Sequence, residues 1–244
     1  MISMIRKFAT AALAVGILST AQAQQAPGDA KKLLSPQNSA VIMIDHQSQM
    51  GFAVQSIDRT LLTNNSVALA KTAKAFNVPT VLTTVAEKSF SGPIFAGVKA
   101  VFPDAKIIDR TTMNSWEDKN FREAVKKTGK KKLVMAALWT EVCLTMPVLA
   151  ALEEGYEVYI VTDASGGVTK EAHDMAVTRM VQAGAVPITW MQLLLEYQRD
   201  WARQSTYDAT VKIALEHGGA YGVGLEYAKA MLGADAGEGK SSKK

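Results

Sequence analysis

Short runs of consecutive apolar residues alternate along the chain with longer stretches whose apolar positions recur every three or four residues. The short runs are residues 39–45 (SAVIMID), 78–85 (VPTVLTTV), 105–110 (AKIIDR), 131–138 (KKLVMAAL), 156–164 (YEVYIVTDA) and 185–190 (AVPITW). They are rich in Val, Ile, Leu and Met and mostly lack polar alternation, the pattern of strands covered on both faces. Residues 60–76, 120–128, 140–154 and 170–183 have helical spacing. The first of these carries Leu61, Leu62, Val67, Leu69 and Ala73 toward one side. Ser115-Trp116-Glu117-Asp118 reads as a capping box ahead of the second. Gly155 and Gly184 stop the third and fourth.

Strand and helix alternating at roughly 25–30 residues implies right-handed crossovers and a parallel sheet with helices on both faces. The expected fold is α/β: a three-layer α/β/α sandwich around a six-stranded, mainly parallel, Rossmann-like sheet of order 3-2-1-4-5-6. After Trp190 come LLLEYQRDW and a helical stretch near residues 207–217. Residues 204–232 read as a helical extension and 233–244 as a disordered tail.

The N-terminus changes the picture. Arg6 and Lys7 precede an apolar run from Phe8 to Thr20, and Ala21-Gln22-Ala23 supplies a small-x-small cleavage pattern. Residues 1–23 read as a secretory signal peptide, followed by a flexible segment over 24–34 and a main domain over 35–203. The expected location is periplasmic or secreted. No later segment is apolar enough to span a bilayer, so no stable membrane association is expected after cleavage. Losing Arg6 and Lys7 lowers the net charge from +4 to +2. So small a balance argues against nucleic acid as the main partner.

Cys143 is the only cysteine, so no internal disulfide is possible. It is either a small core hydrophobe or a functional thiol. In a sheet of the expected order, strands 1 and 4 are neighbours at the point where strand order reverses, where such folds bind ligands. Asp45 closes the first strand and Cys143 lies in the first helical turn after the fourth. Helix position, with free amides and the dipole, is expected to lower the thiol pKa. Pro147 leaves the Cys143 carbonyl without its usual donor, which predicts a bend. Asp45 can accept the thiol proton and return it to a leaving group; its bland alternative is a cap for nearby amides. Arg110, at the end of the third strand, is a fixed cation for that pair or else a surface ion-pair partner. His46 should point to the opposite face, and His173 and His217 read as ordinary helix residues. The sequence has no metal-binding spacing of His, Cys or Asp and no strand-linked GxGxxG, so neither metal nor cofactor is expected.

VIMID and LVMAALWTEVCLTMPVLAALEEGYEVYIVTDASGG, at their mutual spacing, resemble the isochorismatase-like cysteine hydrolases, nearest to the YcaC-related branch. The resemblance covers roughly residues 35–203. It implies Asp45 as general base, Cys143 as nucleophile, and Arg110 where the family usually has lysine. It also implies a cis peptide at Leu138–Trp139, with the Trp139 and Cys143 amides forming an oxyanion hole. Phe90, Asn114 and Trp116 fall in loops that the resemblance places around the pocket, or else they only pack those loops. Relatives that bind zinc carry an Asp/His cluster after the second strand, where this chain has TTVAEKSFSGPIF. The resemblance further implies a small-molecule substrate and a homo-oligomer, for which the LLLEY segment offers a contact surface. Two functions follow: an exported hydrolase of a small amide-like (C–N) substrate working through a Cys143 thioester, or a non-catalytic periplasmic binding or assembly module with a relict or redox-sensitive cysteine.

Overall fold

In the computed structural model, which describes residues 31–233, the elements follow the alternation of the sequence. The expected signal peptide, its cleavage site and residues 234–244 lie outside the described residues. In chain order the elements are β1 (Ser39–Ile44), α1 (Ser48–Phe52), α2 (Arg59–Ala75), β2 (Thr80–Val85), α3 (Ala96–Val101), β3 (Ile108–Arg110), α4 (Lys119–Lys127), β4 (Lys132–Ala137), α5 (Thr145–Glu153), β5 (Glu157–Val161), α6 (Lys170–Gln182), β6 (Val186–Ile188), α7 (Trp190–Gln198), α8 (Gln204–His217) and α9 (Ala220–Leu232). The sheet has the order β3-β2-β1-β4-β5-β6, with every neighbouring pair parallel.

The continuous apolar runs follow from burial on both faces. In β1, Val41 and Met43 join one core cluster while Ala40, Ile42 and Ile44 join the other. In β4, Val134 and Ala136 oppose Leu133, Met135 and Ala137 in the same way. Pairing of Ile44 with Ala137 brings the ends of β1 and β4 side by side.

Several local expectations need correction. β3 is only three residues long, and residues 162–164 wind as a short 3-10 turn after β5. Trp190 opens α7 rather than closing a strand. The cap of α4 is Asp118, which accepts from the Phe121 amide at 2.8 Å, while Ser115–Glu117 form a separate 3-10 turn. Leu61 faces solvent; α2 instead buries Leu62, Leu69, Ala70 and Ala73 with the polar Asn65, Ser66 and Thr72. Leu34 is fully buried, so the packed domain begins inside the segment read as flexible.

The LLLEY segment cannot serve as a contact surface between copies. It lies in α7, where Leu193, Leu194 and Tyr197 are fully buried against the core that includes α2. The Tyr197 hydroxyl shares a 2.8 Å hydrogen bond with Ser39 Oγ. The C-terminal helices belong to the same compact unit, with α8 laying Val211, Ile213 and Ala214 inward next to α2. The apolar surface instead lies on α9, whose Val223, Tyr227 and Met231 are 50%, 67% and 80% exposed. Spaced at i, i+4 and i+8, they form one ridge.

Candidate active site

At the end of β1 the backbone leaves the sheet sharply. Asp45 adopts a left-handed conformation (φ 57°), yet its amide still donates to Thr83 O at 2.9 Å, and Gln47 N closes back on Asp45 O at 2.7 Å. Such a conformation costs a non-glycine residue on the order of 1–3 kcal/mol and persists only where surroundings enforce it. Gln47, missed in the sequence, is part of that enforcement. Its Nε2 donates to Val85 O (3.2 Å) and Gly92 O (2.6 Å), and its Oε1 accepts from Val85 N at 2.8 Å. One buried amide thereby ties the turn after β1 to the end of β2. The only sequence signal for it was a polar residue beside a strand-end acid.

The turn brings the Asp45 carboxylate against Arg110. Arg110 Nη2 lies 2.8 and 2.7 Å from its two oxygens, and both side chains are fully buried. Arg110 Nη1 donates to Thr112 O, and Nε has no partner among the described residues. Cys143, 3% exposed, donates its thiol proton toward the same carboxylate. Asp45, Arg110 and Cys143 therefore form one contact group, and Arg110 is no surface ion pair.

Cys143 sits in a π turn, Thr140–Leu144, closed by Leu144 N on Trp139 O at 3.3 Å; α5 begins after it. The irregularity expected from Pro147 therefore falls one turn earlier, around Cys143, whose usual helical donor would be the amide that proline lacks. The Leu138–Trp139 peptide is cis. The Trp139 amide hydrogen-bonds the Cys143 sulfur, and the indole Nε1 donates to Met50 O at 2.9 Å.

The protonation states correct one expectation. The Cys143 thiol is not activated at rest: burial pushes its pKa up, and the charge and hydrogen bond of Asp45 push it further. The Trp139 amide and Arg110 act in the opposite direction but do not prevail. Helix position and the neighbouring carboxylate were legible, whereas the depth of burial was not, and here burial wins. Burial also raises Asp45 to about 6, against the lowering pull of Arg110 and the Cys143 hydrogen bond. At neutral pH the resting pair is thus a thiol beside a carboxylate.

His46 points away from the site, its Nε2 2.9 Å from Ala164 O, and burial lowers its pKa to about 4. It is neutral, with the proton on the nitrogen facing that carbonyl. His173 is not an ordinary helix residue, because its Nδ1 contacts Thr140 Oγ1 at 2.8 Å in the turn that carries Cys143. Two of the three loop residues have packing or capping contacts of their own. Trp116 is buried, edges against Phe121 and Tyr156, and donates to Glu154 Oε1 at 2.8 Å. Asn114 caps the 3-10 turn, accepting from Trp116 N at 3.0 Å. Phe90 is 67% exposed in the loop after β2. Among the described residues no group of three or more His, Cys, Asp or Glu could hold a metal, and no helix is long and apolar enough to cross a membrane.

The isochorismatase domain family matches residues 39–192, which span both strand ends and the turn that carries Cys143. The chain belongs to that family. Within it, the chain resembles the YcaC-related branch. The probable hydrolase YcaC of Escherichia coli (strain K12) is 43% identical over 169 residues, 69% of this chain and 81% of that protein. The E. coli YcaC crystal structure, described as an octameric hydrolase of unknown specificity, superposes with a TM-score of 0.78 at 39% identity over 82% of this chain and 98% of that one. YcaC of Pseudomonas aeruginosa, solved with hexane-2,5-diol and covalent acrylamide, gives 0.77 at 38% identity over 80% and 96%.

Proposed function

We propose that this isochorismatase-family protein is an exported cysteine hydrolase that cleaves a small amide-like C–N bond through a thioester on Cys143. The observation that carries the reading is one fully buried carboxylate, Asp45, bonded at once to Arg110 and to the only thiol of the chain.

In this reading Asp45 takes the thiol proton as sulfur attacks the substrate carbonyl. The carbonyl π pair moves to oxygen, where the Trp139 amide, now within reach of the sulfur, meets the growing charge. On collapse the C–N bond breaks, and the amine leaves with the proton held by Asp45. A water, deprotonated by the same carboxylate, then attacks the thioester and releases the acid, returning the proton to sulfur. Arg110 holds the carboxylate in line and exchanges no proton. The covalent acrylamide of the P. aeruginosa relative supports the nucleophile, since acrylamide captures nucleophiles at its β-carbon.

Turnover of a panel of small amides and esters tests this, with Cys143→Ala and a hydroxylamine trap for the acyl-enzyme. Finding no turnover, and a thiol inert to alkylation at every pH, leaves the binding or assembly module instead. Assembly into a homo-oligomer is part of the proposal, supported by the octameric relative and by the α9 ridge. Export rests on residues 1–23, and an intact mass beginning at Gln24 for periplasmic protein checks it.

A further inference from the structure

The Ser165-Gly166-Gly167 motif, too weak to imply a nucleotide, runs alongside the segment that carries the Trp139 amide. Ser165, fully buried, accepts from Ala137 N at 3.2 Å through an Oγ that donates to Val161 O at 2.8 Å. Gly166 pairs with Leu138 in an isolated parallel bridge, and its carbonyl takes the Thr140 amide at 3.0 Å. The residues on both sides of Trp139 are therefore pinned to Gly166. Val168 N donates to Glu141 Oε1 at 2.9 Å, which fastens the far end of the strap to the nucleophile's own turn.

The back of the strap is fixed as well. Gly167 O accepts from Gln55 N (3.1 Å) and Ser56 N (3.3 Å), and Gly167 N donates to Ser56 Oγ at 2.9 Å. Neither glycine has room for a side chain. A Cβ on Gly166 would stand 2.7 Å from Val54 Cγ1, and one on Gly167 would stand 2.7 Å from Glu141 Oε2. A tight strap touching residues 137, 138, 140 and 141, but not the sulfur, constrains where the Trp139 amide points.

Resting on the proposed function, we infer that residues 165–168 are a positioning strap for the Trp139 oxyanion donor, with Ser165 and Glu141 as its two clips. They act through Trp139 and not on the thiol. Two reagents separate these roles. Thiolate addition to acrylamide forms an S–C bond at the β-carbon and drives the alkene pair onto the amide oxygen, as an enolate that Asp45 then protonates at carbon. Displacement on iodoacetamide forms an S–C bond while iodide leaves with the C–I pair, so no charge builds on the carbonyl. The ratio of the two rates cancels the thiolate population and reads oxyanion stabilisation alone.

The experiment compares the full-length wild-type chain with Ser165→Ala and Glu141→Ala, following each reagent by intact mass. Loss of a complete oxyanion donor costs about 10²–10³-fold, so a mispositioned one should lower the acrylamide-to-iodoacetamide ratio by about tenfold or more. Iodoacetamide alone should stay within about twofold for Ser165→Ala. Glu141 is partly exposed, so Glu141→Ala reads the strap should Ser165→Ala fail to fold. An unchanged ratio in the folded variants, or both reagents slowed in parallel, overturns the inference while leaving the nucleophile in place. A wild-type chain inert to both reagents removes the nucleophile, and the strap's role with it.

Discussion

Arg110→Met separates a charge role from mere packing. Methionine keeps much of the stem's volume but removes the cation that lies 2.7–2.8 Å from both Asp45 oxygens. Asp45 titrates near 6 with that cation in place, so about nine-tenths of it is ionised at pH 7. An adjacent opposite charge lowers a carboxyl pKa by about 1–3 units. Removing it sends Asp45 to between about 7 and 9, leaving roughly half to one-hundredth ionised at neutral pH. Cys143 alkylation and substrate turnover should fall by about 2- to 100-fold at pH 7 and recover as pH rises toward about 9.

The assay is the iodoacetamide rate, by intact mass, across about pH 5 to 10 for wild type, Arg110→Lys and Arg110→Met. Wild type should show an acid limb near 6, the lysine variant a similar one, and the methionine variant a limb displaced to alkaline pH. A methionine variant whose limb coincides with that of wild type would refute the charge argument, whatever its absolute rate. A flat loss at all pH values would assign Arg110 to orientation instead.

His46 should stay neutral down to about pH 4, with its proton on Nε2; imidazole nitrogen NMR shifts showing a cation at pH 6 would contradict this. Because its folded pKa lies below the unfolded 6.5, its contribution to stability is lost as pH falls from about 6.5 toward 4, whereas that of Asp45 is lost as pH rises from 3.8 toward about 6. Tyr197→Phe should cost about 1 kcal/mol in denaturant unfolding, since Ser39 Oγ keeps its 2.7 Å bond to Ser35 O; a loss above about 3 kcal/mol would show that more than one hydrogen bond is at stake. Light scattering should find an oligomer that Val223→Glu with Tyr227→Glu weakens; an assembly indifferent to both changes would clear α9 of that role.

The sheet was legible because parallel strands buried on two faces leave unbroken apolar runs, whereas its order, expected as 3-2-1-4-5-6, is fixed only in the folded sheet. Asp45, Arg110 and Cys143 were legible because each stands at the end of a strand or the start of the next helix, where periodicity fixes position. What surrounds them was not. Trp116 and Asn114 sit in an irregular loop, and no period says which way a loop side chain turns; one went to the core and the other to a cap. Gln47 and Ser165 work through hydrogen bonds to backbone atoms remote in sequence, at Val85 and Ala137, which only the folded sheet brings near. The α7 segment misled because an apolar helix reads alike whether it covers a core or meets a partner.

The sign of the Cys143 shift also bears on why one unpaired thiol is tolerated. A raised thiol pKa and a carboxylate near 6 make S–H···⁻O₂C the resting pair and S⁻···HO₂C a costly one. Transfer of the proton leaves the net charge of the pocket unchanged, but Arg110, bonded to both Asp45 oxygens, favours the form with the charge on the carboxylate. What tips the balance is an acceptor for the sulfur's electrons, because charge that passes to a carbonyl oxygen meets the Trp139 amide. Sulfur chemistry is thereby coupled to the presence of an electrophile. Peroxide attacks thiolate rather than thiol, and Cys143 is 3% exposed. Oxidation of Cys143 by hydrogen peroxide at pH 7 should therefore run at least about tenfold slower than that of a free thiol such as glutathione. Iodoacetamide, which Asp45 can assist by taking the proton, should still react. Rapid sulfenic acid formation, read by a dimedone mass shift, would mean that the resting group is a thiolate and that burial does not govern its proton.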